Sequence, residues 1–150
     1  DTGDTVISEI VYTLDNTAKT KAIFEINKGV GFVDGVSANS TLAPELRRVP
    51  FENMIYIADG PSDVPAFSII NERKGATFAI YPHGNQKALQ QVEQLRIDGR
   101  INMFAEADYS KDSTAYMWIM NKIKLFANRI REQERLRISS RLSDAPKHLT

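Results

Sequence analysis

Hydrophobic and polar positions change periodicity along the chain in an order that predicts alternating strands and helices. Residues 6–14 alternate apolar and polar side chains as a strand does, and residues 18–29 carry apolar side chains at helical spacing before a glycine. Three later segments are nearly continuous apolar runs, which is typical of parallel strands covered on both faces. These segments are residues 53–58, 76–82 and 101–108.

Helical patterns follow each of these three strands. They cover residues 62–75, 85–99 and about 112–137. In the last helix the predicted apolar face consists of Ile119, Ile123, Phe126 and Ile130. Short steps from strand to helix indicate right-handed crossovers, so we expect an α/β fold with a parallel sheet and helices on both faces.

Between the first two predicted elements and the rest lies a long loop, residues 30–50, rich in Gly, Ser, Asn and Pro. No repeat or composition shift marks a second unit. We therefore expect one domain over residues 1–138 and a tail over residues 139–150.

The composition narrows the class of protein. A chain of 150 residues with 42% hydrophobic and 25% charged residues can bury one core. The absence of cysteine excludes disulfides, thiolate metal sites and cysteine nucleophiles, and it fits a reducing compartment. No apolar run approaches the roughly 20 residues that span a bilayer. We expect a cytoplasmic protein without membrane contacts.

Charge is distributed unevenly although the formal net charge is zero. From Ile119 onward there are eight Lys or Arg against three acidic residues, a net charge of +5 for this segment. A solvated outer face explains this stripe better than nucleic-acid binding, because no aromatic residues interleave with the arginines. If the C-terminal helix has a partner, we expect a partner helix or a second copy of the chain.

The strongest chemical signal is a pair of carboxylates in the segment MIYIADGPSDVPAF, residues 54–67. Asp59 stands where the predicted strand ends, and ligands of open parallel sheets bind beyond the carboxyl ends of the strands. Two ionised carboxylates about 4 Å apart repel by roughly 4 kcal/mol at an effective dielectric constant near 20, so Asp59 and Asp63 need a proton, a lysine or a cation. The alternative is a purely structural role, in which Ser62 or Asp63 caps the following helix and Asp59 ends a strand.

Hard oxygen ligands without nearby histidine or cysteine favour Mg²⁺ over zinc, so Mg²⁺ is the expected metal, with Asp59 and Asp63 as candidate ligands. The two histidines, the remaining candidates for a metal-binding role, are isolated in the sequence. His83 and His148 are expected to be surface or turn residues, since neither has a second ligand nearby in the sequence.

The string IYIADGPSDVPAF resembles the fourth signature motif of the haloacid dehalogenase (HAD) superfamily, and the order of elements over about residues 15–108 resembles its Rossmann-like core. The resemblance implies that Asp59 binds Mg²⁺ directly and that Asp63 binds it through water or orients a lysine. The family's third motif is that lysine. Lys19 is the best match, because KTKAIFEI resembles the family's helix opening, with Lys21 and Lys28 as alternatives.

The family's nucleophile motif, Asp-x-Asp-x-Thr/Val at the end of a first strand, is absent from the 150 residues. The nearest string is VYTLDNTAKT, in which Thr17 takes the place of the second acid after Asp15. We therefore expect the C-terminal half of a HAD core, inactive alone, with the nucleophile on an upstream segment or complementary fragment. The resemblance implies a Mg²⁺-dependent phosphohydrolase for a small phosphorylated substrate. The alternative is a non-catalytic HAD-like domain that binds a metal or a partner.

Overall fold

The computed structural model describes residues 15–143. The strand predicted for residues 6–14 and the isolated His148 lie outside the described residues. In chain order the helices and strands are α1 (Asn16–Lys28), β1 (Ile55–Ala58), α2 (Val64–Glu72), β2 (Ala76–Tyr81), α3 (Gln86–Ile97), β3 (Met103–Glu106) and α4 (Thr114–Ser143).

The three strands form one parallel sheet with β2 in the middle. Ile55 pairs with Ala76 in β2, and Phe78 of β2 pairs with Met103. Each strand reaches the next through a helix, because parallel neighbours cannot be joined by a hairpin. The predicted α/β fold with a parallel sheet is confirmed for the described residues.

Helices cover both faces of this sheet, as predicted. Neighbouring residues of β2 point to opposite faces, and both Phe78 and Ala79 are fully buried. On one face Ala79 packs with Phe67 of α2 and Val92 of α3. On the other face Phe78 lies against Trp118 of α4, with ring centroids 4.8 Å apart.

Helix α1 begins and ends at well-defined residues. Asp15 is its N-cap and accepts a hydrogen bond from the backbone N–H of Ala18 at 2.6 Å. Gly29 ends the helix with φ 79°, the left-handed conformation that glycine adopts without strain. Ile23 packs with α2, so the helix is fixed against the sheet layer and Lys19 lies near its N-terminal end.

The predicted loop over residues 30–50 contains turns and one 3-10 turn, Pro44–Leu46, but neither α-helix nor strand. It folds back on the C-terminal end of α1. Asn27, which is 1% exposed, donates a hydrogen bond to the carbonyl of Val49 at 2.7 Å, and Lys28 donates to the carbonyl of Ala38.

Helix α4 differs from its prediction in length and in its contact face. It continues to Ser143, beyond the predicted end at Arg137 and into the predicted tail. Of the four residues on the predicted apolar face, Ile119 and Phe126 are half-buried, but Ile123 and Ile130 are 46% and 48% exposed. The covered positions of the helix instead recur at helical spacing as Ala115, Trp118, Lys122, Phe126 and Arg129, so Ile123 and Ile130 lie beside this stripe and not on it.

No helix within residues 15–143 combines the length and the apolar character that crossing a membrane would require.

Candidate functional site

Two carboxylates lie where β1 ends. Asp59 follows β1 directly and is exposed. The chain then turns through the 3-10 segment Pro61–Asp63, and Asp63 is only 2% exposed before α2 begins. The expected position of both residues, beyond the carboxyl end of a parallel strand, is confirmed.

Asp63 is held by side chains from three parts of the fold. Its Oδ1 accepts hydrogen bonds from Lys19 Nζ of α1 at 2.9 Å and from the Tyr56 hydroxyl of β1 at 2.6 Å. Ser62 Oγ donates to Oδ2 at 3.3 Å. Lys19 and Asp63 are 44 residues apart in sequence, so their ion pair depends on the packing of α1 against α2.

The suggested capping role of Ser62 or Asp63 is wrong. Asp63 occupies the N-cap position of α2, but no side chain makes a capping hydrogen bond there. The carboxylate of Asp63 instead faces Lys19 and Tyr56, because an ammonium group and a phenol offer it stronger contacts than one backbone N–H.

The pKa values of this cluster reflect two opposing effects. Burial alone would raise the pKa of Asp63, but hydrogen bonds from Tyr56 and Lys19, together with the positive charge of Lys19, hold it below its ordinary value. Burial raises the pKa of Tyr56, and its bond to Asp63 and the charges of Asp63 and Asp59 raise it further. Asp63 is therefore an anion at neutral pH, and Tyr56 remains a protonated donor.

The geometry distinguishes between the three lysines considered for the third motif. Lys19 contacts Asp63, and 28% of its side chain is exposed. Lys21 instead forms a surface ion pair with Glu25 at 3.6 Å, and Lys28 donates to a loop carbonyl. Of the three lysines, Lys19 is the one that the fold brings to Asp63.

Asp15 and His83 make their contacts with residues outside this cluster. Asp15 is exposed and its carboxylate caps α1. His83 is exposed as expected, and its Nδ1 lies 3.0 Å from a carboxylate oxygen of Glu106. The hydrogen bond and negative charge of Glu106 raise the pKa of His83.

The fit of Mg²⁺ depends on which carboxylate oxygens are available. Asp59 makes no hydrogen bond or ion pair with the side chains that the structure describes, whereas Oδ1 of Asp63 is occupied by Lys19 and Tyr56. Within that range no cluster of three or more Asp, Glu or His side chains could hold a metal. Mg²⁺ usually takes one or two carboxylates and fills its other positions with water and substrate phosphate. Asp59 as a direct ligand and Asp63 as an indirect one fit this pattern, and both roles stay predictions.

The sequence analysis missed Tyr56. The residue is the polar member of an otherwise aliphatic strand and lies three positions before Asp59, which is the signal that could have found it. Its ring packs edge-on against Phe67, with centroids 5.4 Å apart, so the hydroxyl is fixed in its position beside Asp63.

The fold and site thus define a parallel α/β protein with a partly buried lysine–carboxylate pair at the carboxyl end of β1. No protein-family model matches the chain, and no solved structure matches it. An uncharacterized protein of Borreliella burgdorferi is 42% identical to this chain over 123 residues. The match covers 80% of this chain and 40% of that protein, so this chain spans less than half the length of its relative.

Proposed function

We propose that the complete protein containing this chain is a Mg²⁺-dependent phosphohydrolase of the HAD type. One observation carries the proposal: Lys19 forms a 2.9 Å ion pair with the buried Asp63 at the carboxyl end of β1, beside the exposed Asp59. A lysine and two carboxylates at this edge of a parallel sheet suit phosphoryl transfer, in which catalysis consists mainly of positioning and charge stabilisation.

In this proposal Lys19 binds the transferring phosphoryl group. Its ammonium has three N–H donors and uses one on Asp63, with no second acceptor among the described residues. The remaining donors can bind phosphoryl oxygens and stabilise the charge that develops on them. Asp63 is a positioning residue, because it holds the ammonium in place and Tyr56 in turn holds Asp63.

Asp59, with Asp63 acting through water, would hold Mg²⁺. The bound ion would neutralise negative charge on the substrate phosphate and on the attacking carboxylate. The exposed position of Asp59 leaves its carboxylate oxygens available for this role.

The nucleophile is proposed to come from a segment outside these 150 residues, which contain no Asp-x-Asp motif. Among the described residues β1 pairs only with β2, so its other edge can accept a further strand. A parallel strand added there would end beside Asp59. The relative from Borreliella burgdorferi is long enough to contain such a segment, because 60% of it lies outside the match that covers 40%.

The test is the hydrolysis of a panel of phosphate monoesters by the complete protein. Lys19→Ala is expected to lower kcat by about 100-fold or more, whereas the matched variant Lys21→Ala keeps wild-type turnover. Asp59→Asn is expected to abolish Mg²⁺-dependent turnover, and the exposed loop variant Asp34→Asn is its control. Wild-type turnover in Lys19→Ala or Asp59→Asn would overturn the proposal.

The absence of Asp-x-Asp from these residues also favours a second candidate, a non-catalytic HAD-like domain that uses the same corner to bind a metal or a partner. The same experiment separates the two. Mg²⁺ binding that Asp59→Asn weakens, together with no hydrolysis by the complete protein, would favour the binding domain.

A further inference from the structure

A polar cavity lies at the opposite end of α1 from Lys19. It has a volume of about 270 Å³ and lies between the C-terminal end of α1, the loop over residues 39–42, and Phe51. Lys28 and Lys19 are nine positions apart on one helix, which separates the two sites by about 14 Å along the helix axis. We propose that this cavity binds a small organic oxyanion, a phosphate or carboxylate attached to an apolar group.

The charge of the cavity wall has one sign. Lys28, Arg47 and Arg73 line it, and none of the described residues that line it is acidic. A larger cavity of about 580 Å³ shares Arg47 and Arg73 and adds Lys74, but it is also lined by Glu45, Glu52 and Glu72, so its charges balance. The smaller cavity therefore attracts an anion more strongly than the larger one.

Arg47 is the residue that points most directly to a ligand. Its side chain is half-buried, yet its guanidinium makes no hydrogen bond or ion pair within the part of the chain whose side chains the structure describes. Its Nε is one of two buried side-chain nitrogens in that range without a partner. Buried donors are normally paired, and a guanidinium matches the two oxygens of a carboxylate or phosphate.

The other wall of the cavity is aromatic. Phe24 and Phe51 meet edge to face with centroids 5.5 Å apart, and the Arg73 guanidinium lies 5.6 Å from the first ring and 5.1 Å from the second. Phe51 is buried, so the half-buried Phe24 ring offers most of the apolar surface to the organic part of a ligand. The polar side chains of Asn39, Ser40 and Thr41 complete the lining and can bond to further oxygens.

The experiment is calorimetric titration of the protein with phenyl phosphate, benzoate and inorganic phosphate at constant ionic strength. At least one of the two aromatic ligands is expected to bind with a dissociation constant of about 1 mM or lower and more tightly than inorganic phosphate. Preference for phenyl phosphate or for benzoate identifies the oxyanion. If neither aromatic ligand binds up to about 10 mM, the proposal is overturned.

Matched arginine variants locate the binding. Arg47→Gln is expected to weaken it about tenfold, whereas Arg48→Gln leaves it unchanged, since the exposed Arg48 lies over Phe32 and lines neither cavity. If Arg47→Gln fails to fold by circular dichroism, Lys28→Gln takes its place with the same expectation. Lys19→Ala separates this cavity from the carboxyl edge of the sheet, and binding is expected to persist in it. Equal weakening in the Arg47 and Arg48 variants, or loss of binding in Lys19→Ala, would contradict the proposal.

Discussion

Replacement of Asp63 by asparagine is expected to lower the free energy of unfolding by about 1.5–3 kcal/mol. Asparagine keeps the shape of the side chain and can still accept the Tyr56 hydrogen bond, so the loss measures the missing negative charge. The carboxylate is 2% exposed and 2.9 Å from Lys19 Nζ, which makes this a charge-assisted bond in a poorly solvated position. The value stays below that of a fully buried ion pair, because 28% of the Lys19 side chain is exposed and its ammonium can turn to water.

A double-mutant cycle isolates the pair from other effects of substitution. We expect Lys19→Met and Asp63→Asn to show a coupling energy of about 1–2 kcal/mol. The matched cycle uses Lys21→Met and Glu25→Gln on the same helix, whose ion pair spans 3.6 Å with a Lys21 side chain 65% exposed, and should give about 0.5 kcal/mol or less. Urea unfolding followed by circular dichroism and Trp118 fluorescence measures both coupling energies. A coupling for Lys19 and Asp63 no larger than that of the surface pair would refute the reasoning.

Three further predictions concern stability. The pKa of Asp63 is lower in the folded than in the unfolded state, so its contribution to the free energy of unfolding is present above about pH 4 and is lost as the pH falls through the folded pKa. The urea midpoint should therefore decline more steeply with falling pH in the wild type than in Asp63→Asn. Gly75→Ala should cost about 1–3 kcal/mol, because its Cβ would lie 2.5 Å from Ile70 Cγ2 and 2.6 Å from the Phe51 carbonyl oxygen, whereas Gly60→Ala meets nothing within 4 Å and should leave the urea midpoint nearly unchanged. Phe78→Ala should cost about 3–5 kcal/mol and shift Trp118 emission to longer wavelength, but Ile130→Ala should cost less than about 0.5 kcal/mol; equal losses would contradict the observed contact face of α4.

The alternation of strands and helices was predictable because it depends on local patterns. The buried residues Phe78 and Ala79 belong to an apolar run that is typical of a strand covered on both faces. The ends of strands were less predictable. Ile101 is 2% exposed and belongs to the segment predicted as a strand, yet β3 begins only at Met103. A residue can be buried without pairing in the sheet, so burial does not locate the end of a strand.

The contact face of α4 could not be predicted from periodicity alone. An apolar stripe shows which side of a helix can be buried, but the docking of the helix on the rest of the fold decides which positions are covered. Trp118 packs against Phe78 of the sheet, whereas Ile130 lies beside the covered stripe and is exposed.

At the candidate site, the sequence predicted the position of Asp59 and Asp63 at the end of a strand, but it did not predict the hydrogen bonds of Asp63. The choice among three lysines rested on a resemblance, and the contact between Lys19 and Asp63 requires the docking of α1 on α2. Tyr56 was missed for the same reason, because a tyrosine in an apolar strand is read as packing until the position of its hydroxyl is known. Arg47 belongs to no sequence motif. That its guanidinium lacks a partner is visible only once the surrounding loop is folded.

The most direct test of the central proposal is the release of inorganic phosphate from phosphate monoesters by the complete protein, measured with Mg²⁺ and again after its removal by a chelator. The proposed function predicts turnover that requires Mg²⁺, returns when the ion is restored and is lost in Lys19→Ala. Turnover that persists without the metal, or no turnover of any monoester with Mg²⁺ present, would contradict it.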